Sequence, residues 1–457
     1  MGYLKSIGAG IIYIGVIFAI LTFAPGYPPE AKFTEYTITT PKELEGNLGL
    51  NNRLNNAEII MKGKLHGPEA FTSYKGKLYT GISGGYVVEI KENQEVSPIA
   101  KFGKECDGHW QENICGRPLG MRFDKNGQLF VADAYYGIFK LDVTSGKYEK
   151  IVDINTPIDS KIPKIINSLD VASNGDIYWT DSSTEFSLHD GVYTFLADPS
   201  GRLLRYNAKT KRNEILVENL GFGNGVILSD DESFVLVAET AISRVVKYNL
   251  KGPKAGKKEL FIDGLPGMPD NIDSDGQGGF FITLAAYADS QNPQISQSLT
   301  PHPNIRKLLV RLLYSIEAPF KLVQTYYPNE CIEKIIHSIG HFSSVNSLGS
   351  HNSVILRIDS NGKIIDVAYG TDGKVTGISS AFIHKDYLFI GSPFNDFVAR
   401  IPLKEAFPSL ASTSKAKNDK IILEETKKPP KKVTEEKVNV KTEKVRDGEK
   451  SQKQSKT

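Results

Sequence analysis

The sequence predicts an all-β fold: a six-bladed β-propeller with an N-terminal transmembrane helix and a helical insertion in the fifth blade. Three observations carry this expectation. A strand pattern recurs six times, its recurrences are spaced by about fifty residues, and an uncharged apolar run opens the chain. Units of that length match four-stranded blades arranged around a channel.

The N-terminus comes first. Ile7–Ala24, "IGAGIIYIGVIFAILTFA", holds no charge and is just long enough to span a bilayer. A cleaved signal peptide would show small residues around its cut site, but here a proline follows "TFA". A retained signal anchor over residues 7–24 is the expectation. Lys5 then places residues 1–6 in the cytosol and the rest in the lumen or outside. That describes a single-pass type II protein of the secretory pathway, in the endoplasmic reticulum or plasma membrane. Residues 25–56 read as a linker and 57–408 as the propeller.

Bulk composition narrows the function classes. The chain has 457 residues, 40% of them hydrophobic, enough for a substantial core. A formal net charge of +2 argues against a nucleic-acid partner, which would call for a concentrated basic face. The eight histidines are scattered and do not suggest a zinc cluster by spacing. Cys106 and Cys115 flank "DGHWQENI", a short loop suited to a disulfide in an oxidising compartment, and leave Cys331 over. No Asn-x-Ser/Thr acceptor gives a glycan signal for the lumenal side.

The repeat consists of a polar turn, three to five β-branched or aromatic residues, then a small or acidic residue. It appears as "GKLYTGIS", "GQLFVADA", "GDIYWTDS", "SFVLVAET", "GGFFITLA" and "DYLFIGSP". Several copies are followed by a second strand such as "GIFKLDVTSGK" or "SRVVKYNLKGPK", the grammar of an antiparallel meander. The steps from Tyr79 to Phe130, Tyr178, Val235 and Phe281 are 51, 48, 57 and 46 residues. The next step, to Phe389, is 108 residues, one repeat plus an insertion at about 286–350. That insertion has helical apolar spacing, with Leu308, Leu309, Leu312 and Leu313 on one face and Arg306, Lys307 and Arg311 expected in solvent. It reads as helices on the rim, a lid over the channel, or an amphipathic surface touching the membrane. Residues 409–457 form a Lys/Glu-rich tail expected to be disordered.

Counting back from each strand exposes a candidate site. Glu69 lies 10 residues before Tyr79, while Asn167, Asn224 and Asp270 lie 11 before Tyr178, Val235 and Phe281. Asn271 adjoins Asp270. Equivalent positions in successive blades share one height around the axis, so these oxygens converge at the channel mouth. Two carboxylates and three carboxamides together suit a hard cation held by several oxygens, and calcium fits better than magnesium. Zinc is disfavoured, because no His or Cys holds these positions.

Seven segments in order, "HGPEAF", "CGRPLGMRFD", "INSLDVASNGDIYWTDSS", "GRLLRYNAKTK", "FGNGVILSDDESFVLVAET", "LKGPKAG" and "LPGMPDNID", resemble the strictosidine synthase-like family, its membrane-anchored animal branch above all. The resemblance covers about residues 60–403, and that family is similar to the calcium-dependent paraoxonases. It implies that Glu69, Asn167, Asn224, Asp270 and Asn271 are central calcium ligands. Two departures matter. Leu119 stands where paraoxonases carry a catalytic histidine, and Ser379 stands near the position of the strictosidine synthase glutamate. Strictosidine synthase chemistry is therefore not expected.

Two function classes follow. One is a membrane-anchored calcium-dependent hydrolase of small hydrophobic arylesters or lactones, with Asp270 as nucleophile or base. His109 is then a substitute base and Arg117 a substrate-side group, although His109, His66 and Arg117 each also have a loop or packing reading. The other class is a non-catalytic lumenal propeller in which calcium is structural and a face binds a partner. Ser-His-Asp catalysis is not expected.

Overall fold

The computed structural model describes residues 2–289, 293–346 and 350–410. Six four-stranded antiparallel sheets make up the body. Their innermost strands are β1 (Phe71–Tyr74), β2 (Pro118–Phe123), β3 (Ile166–Val171), β4 (Gly223–Leu228), β5 (Gly267–Ser274) and β6 (Ser380–His384). Each inner strand touches the next, and β6 touches β1, so the ring is closed. The sixth sheet takes its outer strand, Glu58–Ile60, from the start of the propeller. Glu58 lies opposite Arg400 there and pairs with it at 2.8 Å.

Both faces of a blade pack on neighbouring blades. The second strands are therefore buried along their whole length, Leu129–Asp133 and Ile177–Asp181 among them. This explains why the repeats read as continuous apolar runs rather than as alternation. The inner strands also approach one another closely near the axis. A methyl group on Gly120 would lie 2.6 Å from Ser168 Cα, and one on Gly225 would lie 2.6 Å from Asn271 Cα.

Antiparallel order fixes which loops share an end. The segment entering each inner strand and the link between second and third strands emerge on the same face. The helical insertion uses that second kind of link, between Phe280–Tyr287 and Ser353–Ile358 of the fifth blade. It therefore stands on the face where the inner strands begin.

Among the described residues three long helices accompany the propeller: α1 (Gly2–Phe23), α2 (Pro303–Tyr326) and α3 (Glu330–Gly340). Within α1, Ser6–Phe23 has a mean hydropathy of 2.2 and is only 6% buried, so it is long and apolar enough to cross a membrane. Its 22 residues rise about 33 Å.

The insertion corrects one expectation. Arg306 and Arg311 do not face solvent; both are buried. Arg306 donates to Leu196 O at 2.9 Å and to Thr34 O, and pairs with Asp198. Arg311 donates to Leu21 O, Thr22 O and Ala24 O at 2.9, 3.2 and 2.9 Å. These carbonyls end α1 and have no partner within it. A cation there also suits the negative end of the helix dipole. Leu309 and Leu313 pack against Phe186, Tyr193 and Leu196. The expected disordered tail lies, from residue 411, outside the described residues.

Candidate metal centre and a histidine rim

The five oxygen-bearing residues singled out by their spacing are all buried, between 3% and 7% exposed. Asn167, Asn224, Asp270 and Asn271 stand on inner strands, and Glu69 precedes β1 by two residues. Asn271 Nδ2 donates to Glu69 Oε1 at 2.9 Å, and the Asn224 side chain offsets part of the effect of burial on Asp270. Asn167 Nδ2 donates to Ser182 Oγ at 3.0 Å, which turns its carbonyl oxygen elsewhere. Ser379 closes the ring by donating to Glu69 O at 2.7 Å and accepting from Asn271 N at 3.0 Å.

The electrostatics of this cluster are unbalanced. Burial, and then the charge of Asp270, push the Glu69 carboxyl well above its ordinary range. Burial pushes Asp270 up to about 7. Glu69 Oε2, Asn167 Oδ1 and Asn224 Oδ1 are buried without any hydrogen-bond partner. Orphaned acceptors of this kind are costly unless something positive faces them. The donor set is oxygen throughout, with no His or Cys, so it fits a hard cation such as calcium.

Leu119 and Ser379, the two departures noted in the sequence, bring no acid–base group to the site. Leu119 is buried with Ala134, Ile165 and Phe222. Ser379 is fully buried, with its hydroxyl committed to Glu69 O. A second polar tier, missed from sequence, lies further along the channel. There Ser380 Oγ donates to Asp273 Oδ2 at 3.0 Å, and Arg122 faces Asp170 at 3.3 Å.

Above the same end the structure assembles a feature that sequence spacing did not suggest: five of the eight histidines in one chain of ring contacts. His66 stacks on His109 with centroids 5.1 Å apart, and His109 meets His337 at 5.8 Å. His337 in turn stacks on His341 at 4.2 Å and meets His189 at 6.1 Å. His337 and His341 come from α3 and its C-cap, and His109 from the 106–115 loop, which the Cys106–Cys115 disulfide closes. That loop is the seat of α3. Gln111 Nε2 donates to Glu333 Oε2 at 2.7 Å, Lys334 lies 4.0 Å over the Trp110 ring, and His341 Nε2 is 3.5 Å from Glu112 Oε2. Glu333, His337 and His341 recur at i, i+4 and i+8. That signal was available in the sequence.

Burial holds His337 down to about 3, with His341 adding to it, and its Nε2 has no partner. Burial also lowers His66 and His109. Arg117 stands between rim and axis. It donates to Gly67 O at 2.9 Å and Pro393 O at 3.3 Å, and pairs with Glu112 at 3.2 Å. His189, Asp190 and Glu317 form a further group of potential ligands, but Lys321 lies 2.9 Å from Glu317 and 3.9 Å from Asp190 and already supplies the positive charge.

Fold and site together define a class: a six-bladed propeller whose inner strands open onto a buried axial cluster of carboxylates and carboxamides. Residues 167–253 match the family described as strictosidine synthase, and residues 46–90 match strictosidine synthase-like, N-terminal. Adipocyte plasma membrane-associated protein Hemomucin of Drosophila melanogaster is 38% identical over 413 residues, covering 89% of this chain and 71% of that one. Adipocyte plasma membrane-associated protein of Rattus norvegicus is 32% identical over 373 residues, covering 81% and 92%. The chain belongs to the strictosidine synthase-like family, among the adipocyte plasma membrane-associated proteins. A gluconolactonase from Xanthomonas campestris has a similar structure, with a TM-score of 0.48 and 14% identity, covering 82% of this chain and 98% of that one.

Proposed function

We propose that the axial cluster binds calcium and that the protein is a membrane-anchored hydrolase of arylester or lactone type. The observation that carries this reading is the set of three orphaned oxygens, Glu69 Oε2, Asn167 Oδ1 and Asn224 Oδ1, beside two carboxyls that burial keeps from ionising freely. Glu69, Asn167, Asn224, Asp270 and Asn271 would hold the ion, which when bound supplies a Lewis acid that polarises an ester carbonyl. Asp270 removes a proton from the attacking water, or itself attacks. His109 is the substitute base of this reading, on the same face as His66, although desolvation lowers the basicity of both rings. The α1 helix would anchor the chain as a type II protein, with the propeller on the lumenal or extracellular side. An apolar ester dissolved in the bilayer is the substrate this arrangement favours.

A second reading is favoured by Leu119 and Ser379. Neither can carry the acid–base chemistry of the relatives that place a histidine or a glutamate there. In that reading calcium only ties the blades together, and a face of the propeller binds a partner. The deciding measurement is hydrolysis of phenyl acetate and a simple lactone by the full chain in detergent, with calcium and after chelation. Turnover that needs calcium and disappears in Asp270→Asn supports the hydrolase. A calcium-dependent rise in melting temperature with no turnover supports the structural role.

A further inference from the structure

The helix α2 is inside out for a helix on a water-facing rim. Ile305, Leu312, Ile316, Pro319, Val323 and Tyr326 follow one another at steps of 7, 4, 3, 4 and 3, which places them on one face. Ile305, Ile316, Val323 and Tyr326 are 46%, 47%, 42% and 71% exposed, and Leu322 and Tyr327 beside them are 61% and 76%. The residues α2 buries are Arg306, Val310, Arg311 and Glu317, three of them charged. Outside α1, six of the thirteen exposed large hydrophobics among the described residues fall within 305–327. So large a bare apolar surface on one element marks an interaction face.

What covers that face follows from where α2 is attached. Arg311 holds the last carbonyls of α1, and its guanidinium lies 5.7 Å from the Tyr27 ring. Tyr27 Oη is 2.8 Å from Ser315 Oγ, and its ring is 6.5 Å from that of Tyr314. If α1 crosses the bilayer, its C-terminal carbonyls lie at the membrane–water interface, because its 18-residue apolar window is fully used in crossing. Residues 311–315 of α2 are then fixed at that interface. From there to Tyr326 the helix advances only about 22 Å, and it ends in two exposed tyrosines, the residue type enriched at bilayer surfaces.

We propose that the apolar stripe of α2 lies in the leaflet on the propeller's side of the membrane that α1 crosses, which makes the insertion a second, peripheral membrane contact. This rests on the reading of α1 as a transmembrane anchor. It has a consequence for orientation. The insertion stands on the end where the inner strands begin, so the axial cluster and the histidine rim lie at the membrane-facing end of the propeller.

The experiment uses the full chain in lipid nanodiscs. The exposed free Cys331 is first removed as Cys331→Ser. Nitroxide labels are then placed singly at Ile316→Cys and Val323→Cys, with Ile12→Cys in α1 as the bilayer reference. Lys125→Cys, exposed at the opposite end of the second blade, is the aqueous reference. Collision rates with oxygen and with a water-soluble nickel chelate report depth. The expected result is that the labels at 316 and 323 lose nickel collisions and gain oxygen collisions, as Ile12→Cys does. Nickel access at both positions equal to that of Lys125→Cys, with Ile12→Cys in lipid, overturns the proposal and leaves the anchor standing. Labels at 316 and 323 shielded from both reagents mean that a second copy or a protein partner covers the stripe, which also overturns it. Nickel access at Ile12→Cys removes the anchor reading and the proposal with it.

Discussion

The axial cluster and the histidine rim share one end of the propeller and are built in opposite ways. The axial residues come from one phase of a repeat: Glu69, Asn167, Asn224 and Asp270 are the same structural position in four blades. The rim histidines come from single-copy segments, the loops at 66, 109 and 189 and the inserted helix α3. Their electrostatics differ in the same sense. At the axis, buried carboxyls are pushed up and oxygens are left without donors, so the cluster lacks a positive charge. At the rim, desolvation pushes His337, His66 and His109 down, so positive charge is resisted. One region gathers oxygen acceptors and the other imidazole rings, and Arg117 links the two.

The largest effect expected from breaking this contrast is at the axis. Asp270→Asn and Glu69→Gln should each abolish the calcium-dependent rise in melting temperature. Calcium at one hundred times its dissociation constant stabilises a folded protein by about 2.7 kcal/mol, and that increment should vanish. Thermal denaturation with calcium and with chelator measures it. An unchanged calcium response in both variants would remove the axial cluster as the binding site. Next in size is Cys115→Ser, which opens the loop that seats α3. Closing a loop of about ten residues is worth roughly 2–3 kcal/mol, so the midpoint of denaturation should fall, but the calcium increment should persist. If the increment falls with it, axis and rim are one cooperative unit and the contrast drawn above is wrong.

A pH series sharpens the comparison. Asp270, raised to about 7 in the folded chain, keeps a proton that the unfolded chain has already released. Without calcium, its contribution to stability is present in acid and is lost as pH rises toward 7. An ion must displace that proton, so calcium affinity should increase from pH 6 to pH 8, with proton release detectable by calorimetry in buffers of different ionisation heat. An affinity that is flat across this range would mean that the ion does not meet a protonated Asp270.

Much of this was legible in the sequence, because repetition averages out local ambiguity. No single "GGFFITLA" proves a strand, but six at a regular step specify a blade, and the shared phase of Glu69, Asn167, Asn224 and Asp270 locates the axis. The rim was not legible, because Gln111 and Glu333 meet across 222 residues and nothing in either segment names the other. The i, i+4, i+8 set Glu333, His337 and His341 does show a shared face, but not what that face meets. Arg306 and Arg311 were misplaced for a related reason. Their main partners are backbone carbonyls of Thr34, Leu196, Leu21, Thr22 and Ala24, which leave no trace in residue identity.

The smallest effect tests the rim alone. His337 is held to about 3 in the fold, against an ordinary value of 6.5. Between those values the unfolded chain takes up a proton at this position and the folded chain does not, so acid favours unfolding there. Stability should therefore decline as pH falls below 6.5, beginning with the seating of α3 on the 106–115 loop. Hydrogen exchange of the α3 amides is the sensitive readout, because local opening is seen there before global denaturation. His337→Phe keeps an aromatic ring among His109, His189 and His341 and removes the titration. In that variant the exchange rate of α3 should depend less on pH between 4 and 6.5, while calcium affinity is unchanged. An acid response that survives in full would assign it to another group of the rim, with His341 beside Glu112 first to test by the same substitution.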